Sequence, residues 1–405
     1  MKWLTVGLLT LTGLAVALPV AAQAFQPQLK PSVSFDVLYG RGSSLPLATS
    51  TGPLRFDAGQ LQLDDTYTNL ARIGRVRFGL DATLSELATM RLSALLFSSE
   101  LSDQPLTPAS FADYTTFLRQ RWTRQSSLWS RPFLLEDVQF TLGDPRVLGT
   151  MTLGQQWLPF GFTDSTTIMP PLAIAPQQTP ISEYVNGLRL ASGMVPWQLS
   201  AATRQRQIGS TVKWRMDKVA VTTGVYTGAG PNQPDNNGSL DLLARVDYIN
   251  EASEIGLSVW RGQQPGFRQQ GSTAVPYDRT VTGVHARLPF DIWFINSEYL
   301  LGFDNWHDGN NSLYRGGYLT IGANPDPMSQ LYLQGAYIQH DNPFDGALTG
   351  FGGVLSRQVT VGYKRKVSSF AEVQNDLSYT WEDLYGDRPT GIGYLQYLAK
   401  VQIAF

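Results

Sequence analysis

The sequence predicts an all-β protein: a transmembrane, antiparallel, up-and-down β-barrel of about 18 strands, with a count of about 16 also allowed. Three observations carry this. Tyr394 to Phe405 alternates strictly, with Leu395, Tyr397, Ala399, Val401, Ile403 and Phe405 on one face and Gln396, Lys400 and Gln402 on the other. The same alternation returns along the chain in segments of roughly nine to eleven residues, which suits a tilted membrane crossing. No long apolar helix follows residue 24, and a membrane protein without one must close its sheet, because lipid cannot satisfy open backbone groups.

The chain opens Met-Lys, continues through an apolar run from Trp3 to Val20, and reaches Ala22-Gln23-Ala24. A basic start, an apolar centre and a small-x-small site describe a secretory signal peptide over residues 1–24. Pro19 and the absence of a basic stop-transfer segment speak against an anchor. Residues 25–405 then form one barrel domain. Removing Lys2 takes Lys and Arg from 31 to 30 against 33 Asp and Glu, a formal charge of −3. That near balance excludes a strongly basic nucleic-acid binder. Cysteine is absent, which removes disulfides, thiol catalysis and thiolate metal sites from an exported chain.

The first strand is Val33 to Tyr39. Gly74 to Ala82 and Ala88 to Leu96 form a hairpin turning between Thr83 and Leu87. Leu134 to Leu142 turns through Gly143-Asp144-Pro145-Arg146 into Leu148 to Trp157. Tyr184 to Ala191 and Trp197 to Arg204 read as a further pair, and Ile208 to Met216 turns at Asp217-Lys218 into Val219 to Thr227. Leu240 to Ile249 turns at Asn250-Glu251 into Ile255 to Arg261, and Thr280 to Leu288 turns at Pro289-Phe290 into Ile292 to Gly302. Leu313 to Gly322 turns at Asn324 to Pro327 into Leu331 to Gln339, and Gln358 to Lys366 turns at Ser368 into Ala371 to Trp381. Between these tight turns lie longer Gly-, Asn-, Asp- and Pro-rich loops, the asymmetry of outer-membrane barrels. The joint from Arg204 to Gln207 is short for an external loop, and it is what leaves the lower strand count open. Trp197, Trp214, Trp260, Trp293, Trp381 and Tyr397 fall near strand ends and suit interfacial girdles. A chain ending on an aromatic inside its last strand resembles bacterial outer-membrane barrels, where such a residue is the assembly signal. Phe405 takes that role here, facing lipid beside the strand that begins near Val33.

Gly143 to Gly161 reads GDPRVLGTMTLGQQWLPFG. It resembles the phosphate-selective porin O/P family in Gly154-Gln155 and in Pro159-Phe160-Gly161. Leu135 to Phe140 and Asn186 to Leu190 resemble the flanking strands of that family. Many relatives carry a basic residue before Pro-Phe-Gly, where this chain has Gln156-Trp157-Leu158. The resemblance implies an outer-membrane channel, often a homotrimer, with loops folded into the pore. On physical grounds Pro159 and Gly161 end the strand, since Pro lacks a ladder donor and Gly admits unusual dihedrals. Pro159, Phe160, Gly161, Pro170 and Pro171 belong to a stiff segment that either constricts the lumen or covers an outer surface.

Three histidines, His285, His307 and His340, are not spaced with one another as a metal site requires. Nothing else marks a nucleophile or phosphate loop, and no metal, cofactor or enzymatic activity is expected. The faces opposite the apolar ones carry Arg75, Arg77, Arg91, Arg189, Lys213, Arg215, Arg245, Arg287, Lys364, Lys366 and Lys400. The acids on those faces are fewer: Asp81, Asp247, Glu254, Glu372 and Asp376. With the first hairpin centred on Ser85, Arg77 lies opposite Ser93 and Arg91 opposite Gly79, so the two guanidiniums share one anion diagonally. The expected function is a water-filled channel for passive diffusion of small anionic or neutral hydrophilic solutes, with weak anion preference. Its partners are the lipids of the bacterial outer membrane. The alternative is a sleeve holding a separately encoded protein, such as a multihaem cytochrome, across that membrane.

Overall fold

The computed structural model describes residues 28–46, 70–98, 134–143, 149–162, 206–228, 238–267, 275–307, 311–341, 353–385 and 390–405. Sixteen strands run in chain order. They are β1 (Gln28–Pro46), β2 (Leu70–Ser85), β3 (Ala88–Ser98), β4 (Leu134–Leu142), β5 (Thr150–Trp157), β6 (Arg206–Met216), β7 (Val219–Tyr226) and β8 (Asp241–Asn250). There follow β9 (Ser253–Phe267), β10 (Val275–Phe290), β11 (Trp293–Trp306), β12 (Asn311–Asp326), β13 (Ser329–Asp341), β14 (Gly353–Lys366), β15 (Ala371–Tyr385) and β16 (Thr390–Ala404). Each strand pairs antiparallel with its neighbours in sequence, and β16 pairs with β1 to close the barrel. Closure leaves no unpaired edge.

The higher count of about 18 is therefore corrected to 16. β5 hydrogen-bonds directly to β6, from Thr150 opposite Lys213 to Trp157 opposite Arg206. No strand fits between them in the wall. The pair expected at Tyr184 to Arg204 lies outside the described residues, as do Arg189, Pro170, Pro171 and Trp197.

The two-residue turns share one end of the barrel with Gln28 and Phe405, the first and last described residues. Asp217, Glu251 and Asp291 each take positive φ, 51°, 53° and 53°, at the first turn position. That backbone matches the right-handed twist of the flanking strands. Two turns sit a little later than expected. The β10–β11 turn is Asp291-Ile292 rather than Pro289-Phe290, and the β12–β13 turn is Pro327-Met328. The strand ladder runs through Phe290 and Trp293, whose exposed rings extend the apolar outer belt to the turn.

The outer face carries Leu257, Val284, Tyr299, Leu319, Leu333, Val361 and Leu377, all exposed. The inner face carries Thr320, Gln334, Thr360, Gln374 and Ser378, all buried. Apolar outside and polar inside is the pattern of a barrel in lipid. The seam is made at Phe405, whose N–H donates to Val33 O at 2.9 Å while Val33 N–H donates to Phe405 O at 3.1 Å. Phe405 is 71% exposed, and its ring stacks on Phe370 with centroids 5.8 Å apart.

Candidate functional site

The inner wall departs from the polar rule on β7 to β12. Tyr226, Leu243, Trp260, Val281, Leu300 and Tyr314 occupy inward positions on six successive strands and form one buried cluster. The cluster is completed by Leu158 and Phe160, which follow β5. Pro159, Phe160 and Gly161 therefore lie inside the barrel, against the wall. Phe160 meets the wall at Gly283, where an added Cβ would stand 2.9 Å from the ring. Burying such a ring stabilises by about 1.5–3 kcal/mol. Further along, Phe162 packs against Tyr318, Ala336 and Ile338 on β12 and β13. Trp260 belongs to this inner cluster with no exposed surface, which corrects its placement in an outer girdle. Trp214, Trp293 and Tyr397 do face outward.

Polar bonds fix the segment. Gly161 N–H donates to Ser258 Oγ at 3.0 Å, and Arg245 Nη1 donates to Gly161 O. The same guanidinium donates through Nε to Asp247 Oδ1 at 2.7 Å and through Nη2 to Glu254. His285 Nε2 stands 3.2 Å from Asp247 and 3.4 Å from Glu254. Asp247, Glu254 and His285 thus converge within 4.8 Å, a set able to hold a metal ion. Arg245 bonds to both carboxylates, so their charge is already countered. Sequence spacing had not brought these three together, because they meet across β8, β9 and β10 rather than along one strand.

The basic residues divide. Arg91 lies directly opposite Asp81, and its Nε donates to Asp81 Oδ1 at 2.7 Å. Arg77 bonds Glu136, which a bulge between Ser93 and Ala94 leaves unpaired and turned inward. The shared two-arginine anion site is corrected accordingly. The turn centres on Glu86-Leu87 rather than Ser85, which sets Gly79 opposite Ser93 and puts an acid opposite Arg91. Lys364 pairs with Glu372 at 3.1 Å. Arg75 lies opposite Asp36 in register and Lys400 opposite Gln374. Lys213, Arg215 and Lys366 are exposed on the inner face toward the tight-turn end, and Arg287 lies 6.0 Å from the Phe162 ring centroid.

Asp137, Asp241, Glu298 and Asp304 are further buried acids of the inner face. Arg279 is a further base, fully paired with Asp304 at 2.6 Å. With these added, basic and acidic groups on the described inner wall are close to balanced, which corrects the expectation of a basic one. Away from Lys364, Lys366, Glu372 and Asp376, the wall from β12 to β15 carries uncharged polar pairs that hydrogen-bond to one another. Gln334 donates to Thr320 at 2.8 Å, Gln358 to Thr380 at 3.0 Å, and Thr360 meets Ser378 at 2.8 Å.

No protein-family model matches the sequence, and no curated protein matches it. Solved structures do match in shape. An anion-selective porin from Comamonas acidovorans aligns over 94% of this chain and 100% of its own, with TM-score 0.58 and 12% identity. The fold is that of bacterial outer-membrane porins. OmpT, an outer-membrane protein of Vibrio cholerae, aligns over 95% of this chain and 99% of its own, at TM-score 0.58 and 10% identity. The outer-membrane channel DcaP of Acinetobacter baumannii aligns over 94% and 97%, at 0.56 and 9%.

Proposed function

We propose that this chain forms a water-filled outer-membrane channel for passive diffusion of small hydrophilic solutes. The observation that carries the reading is the Leu158–Phe162 segment. It is bound along the inside of a closed, polar-walled barrel and narrows the passage on one side. A barrel of this strand number encloses an aqueous lumen. The resemblance of Gly154-Gln155 and Pro159-Phe160-Gly161 to the phosphate-selective O/P porins supports the same reading.

A weak anion preference is part of the proposal. Lys213 and Arg215 stand at the tight-turn mouth with no salt bridge among the described residues, and Lys366 faces a Glu372 that is bridged to Lys364, while Asp217, Glu251 and Asp291 in the adjoining turns offset them. Assembly as a homotrimer is the oligomeric state we propose, in line with a trimer form of OmpT. The sleeve alternative is not favoured, since Leu158 to Phe162 already occupies the inner wall from β7 to β13. The test is purified protein in a planar lipid bilayer. Stepwise conductance is the expected result, and a folded barrel that produces no steps rejects the reading.

A further inference from the structure

The outer face of β10 to β14 is not uniformly convex. Ala286 and Ser297 lie side by side in register, Gly317 sits between Tyr299 and Tyr337, and Gly335 between Leu319 and Val359. These small residues open a groove of about 730 Å³ on the lipid-facing surface, walled by Val284, Tyr299, Leu319, Tyr337, Val359 and Trp381. At Gly335 an added Cβ would meet nothing within 4 Å.

One end of the groove is cationic. Tyr299, Gly317, Tyr337, Arg357 and Trp381 follow one another straight across β11 to β15. Arg357 lines the groove and is exposed. Arg315 faces the same way two residues before Gly317, and donates from Nε and Nη2 to Gln339 Oε1 at 3.1 and 2.9 Å. Asp341 is held by Gln339 Nε2 at 3.2 Å. Both arginines lie on the long-loop side of the apolar outward positions Leu331, Leu333, Val359 and Val361. A row of Tyr, Trp and Arg at that level marks the membrane–water boundary.

We propose that the groove holds a phosphate-headgroup lipid of the outer leaflet, with an acyl chain over Gly317 and Gly335 and the phosphate against Arg315 and Arg357. Guanidinium forks match phosphate oxygens, and a low-dielectric boundary strengthens the pair. The complementarity is specific to a lipid. The cations stand only at the polar end of an otherwise apolar slot, as head and chain do. This rests on the barrel lying in the outer membrane with its long loops outward, and not on conduction.

The experiment is native mass spectrometry of the full barrel in detergent, with dioleoyl phosphatidic acid, with phosphatidylcholine of the same chains, or with inorganic phosphate. Preferential retention of phosphatidic acid is expected. It should weaken about tenfold in Arg315→Gln/Arg357→Gln, two surface cations being removed. Gly335→Leu should fill the slot and reduce retention of both lipids, and the open space at that site lets the variant fold. Equal retention of the two lipids by the wild type overturns the proposal, as does retention unchanged in both variants. Phosphate bound as well as the lipid and indifferent to Gly335→Leu also overturns it. So does a change of protomer number in Gly335→Leu with lipid retention intact, which would make a second copy the occupant. A barrel that retains phosphatidic acid in the expected pattern and conducts nothing overturns the channel reading alone.

Discussion

Arg245 and Gly161 are joined by a hydrogen bond inside the barrel, 84 positions apart in sequence, from a strand guanidinium to a main-chain carbonyl. The guanidinium is itself oriented by Asp247 and Glu254. The bond therefore ties the inserted segment to a rigid wall rather than to another loop. Replacing Arg245 by Ala removes it and leaves the bonds to Ser258 Oγ and from Tyr318 OH to Phe162 O as polar anchors. Larger and noisier current steps should follow in single-channel recordings. Ser258→Ala removes a second anchor without changing charge, and the double variant should exceed either single. Steps of wild-type size and noise in all three would dissociate the segment from the passage.

Arg279 and Asp304 make the most enclosed arginine–carboxylate pair of the described barrel, with side chains 3% exposed on both sides. Tyr277 and Tyr314 stack about the guanidinium at 5.3 and 5.6 Å. Removing one member of a buried pair leaves the other charge desolvated, at a cost of about 3–5 kcal/mol. Asp304→Ala should thus lower the urea midpoint of the barrel in liposomes, whereas Arg91→Ala, at an exposed pair, should shift it little. Equal midpoints for the two variants would contradict this ranking.

The alternation of β16 and of the hairpins made the barrel legible, since a single register slip would turn every apolar side chain inward. What alternation could not show was a second meaning for apolar residues on the polar face. Tyr226, Leu243, Trp260, Val281, Leu300 and Tyr314 interrupt the polar inner face together, in six strands running. Taken together, those breaks mark a docking surface that was present in the sequence. The ion pairs were not legible, because they depend on register. Moving the hairpin centre by one residue exchanged Gly79 for Asp81 opposite Arg91. The bulge that turns Glu136 inward has no local sequence mark.

Phe405 ends the chain with both main-chain bonds to Val33 made and its ring on Phe370. Deleting it removes two ladder bonds at the seam and the exposed terminal aromatic. The amount of heat-modifiable, assembled barrel in isolated outer membranes should fall. Channels that do form should conduct as wild type, because the ring faces away from the lumen. Normal assembly of the truncated chain would remove Phe405 from any part in closing the barrel.

Ion preference discriminates between paired and unpaired cations. The zero-current potential across a potassium chloride gradient should show a weak anion preference in the wild type. Arg91→Gln/Asp81→Asn should change it little, because it removes a matched pair and leaves the net charge of the wall unchanged. Lys213→Gln/Arg215→Gln/Lys366→Gln should move the potential toward cation selectivity, since Lys213 and Arg215 form no salt bridge among the described residues and Lys366 faces a Glu372 that is bridged to Lys364. A narrow, low-dielectric passage makes such uncompensated charges count. The shift should shrink at about 1 M salt, where the screening length falls to about 3 Å. A wild-type preference for cations, or a triple variant indistinguishable from wild type at low salt, would defeat the assignment of selectivity to this mouth.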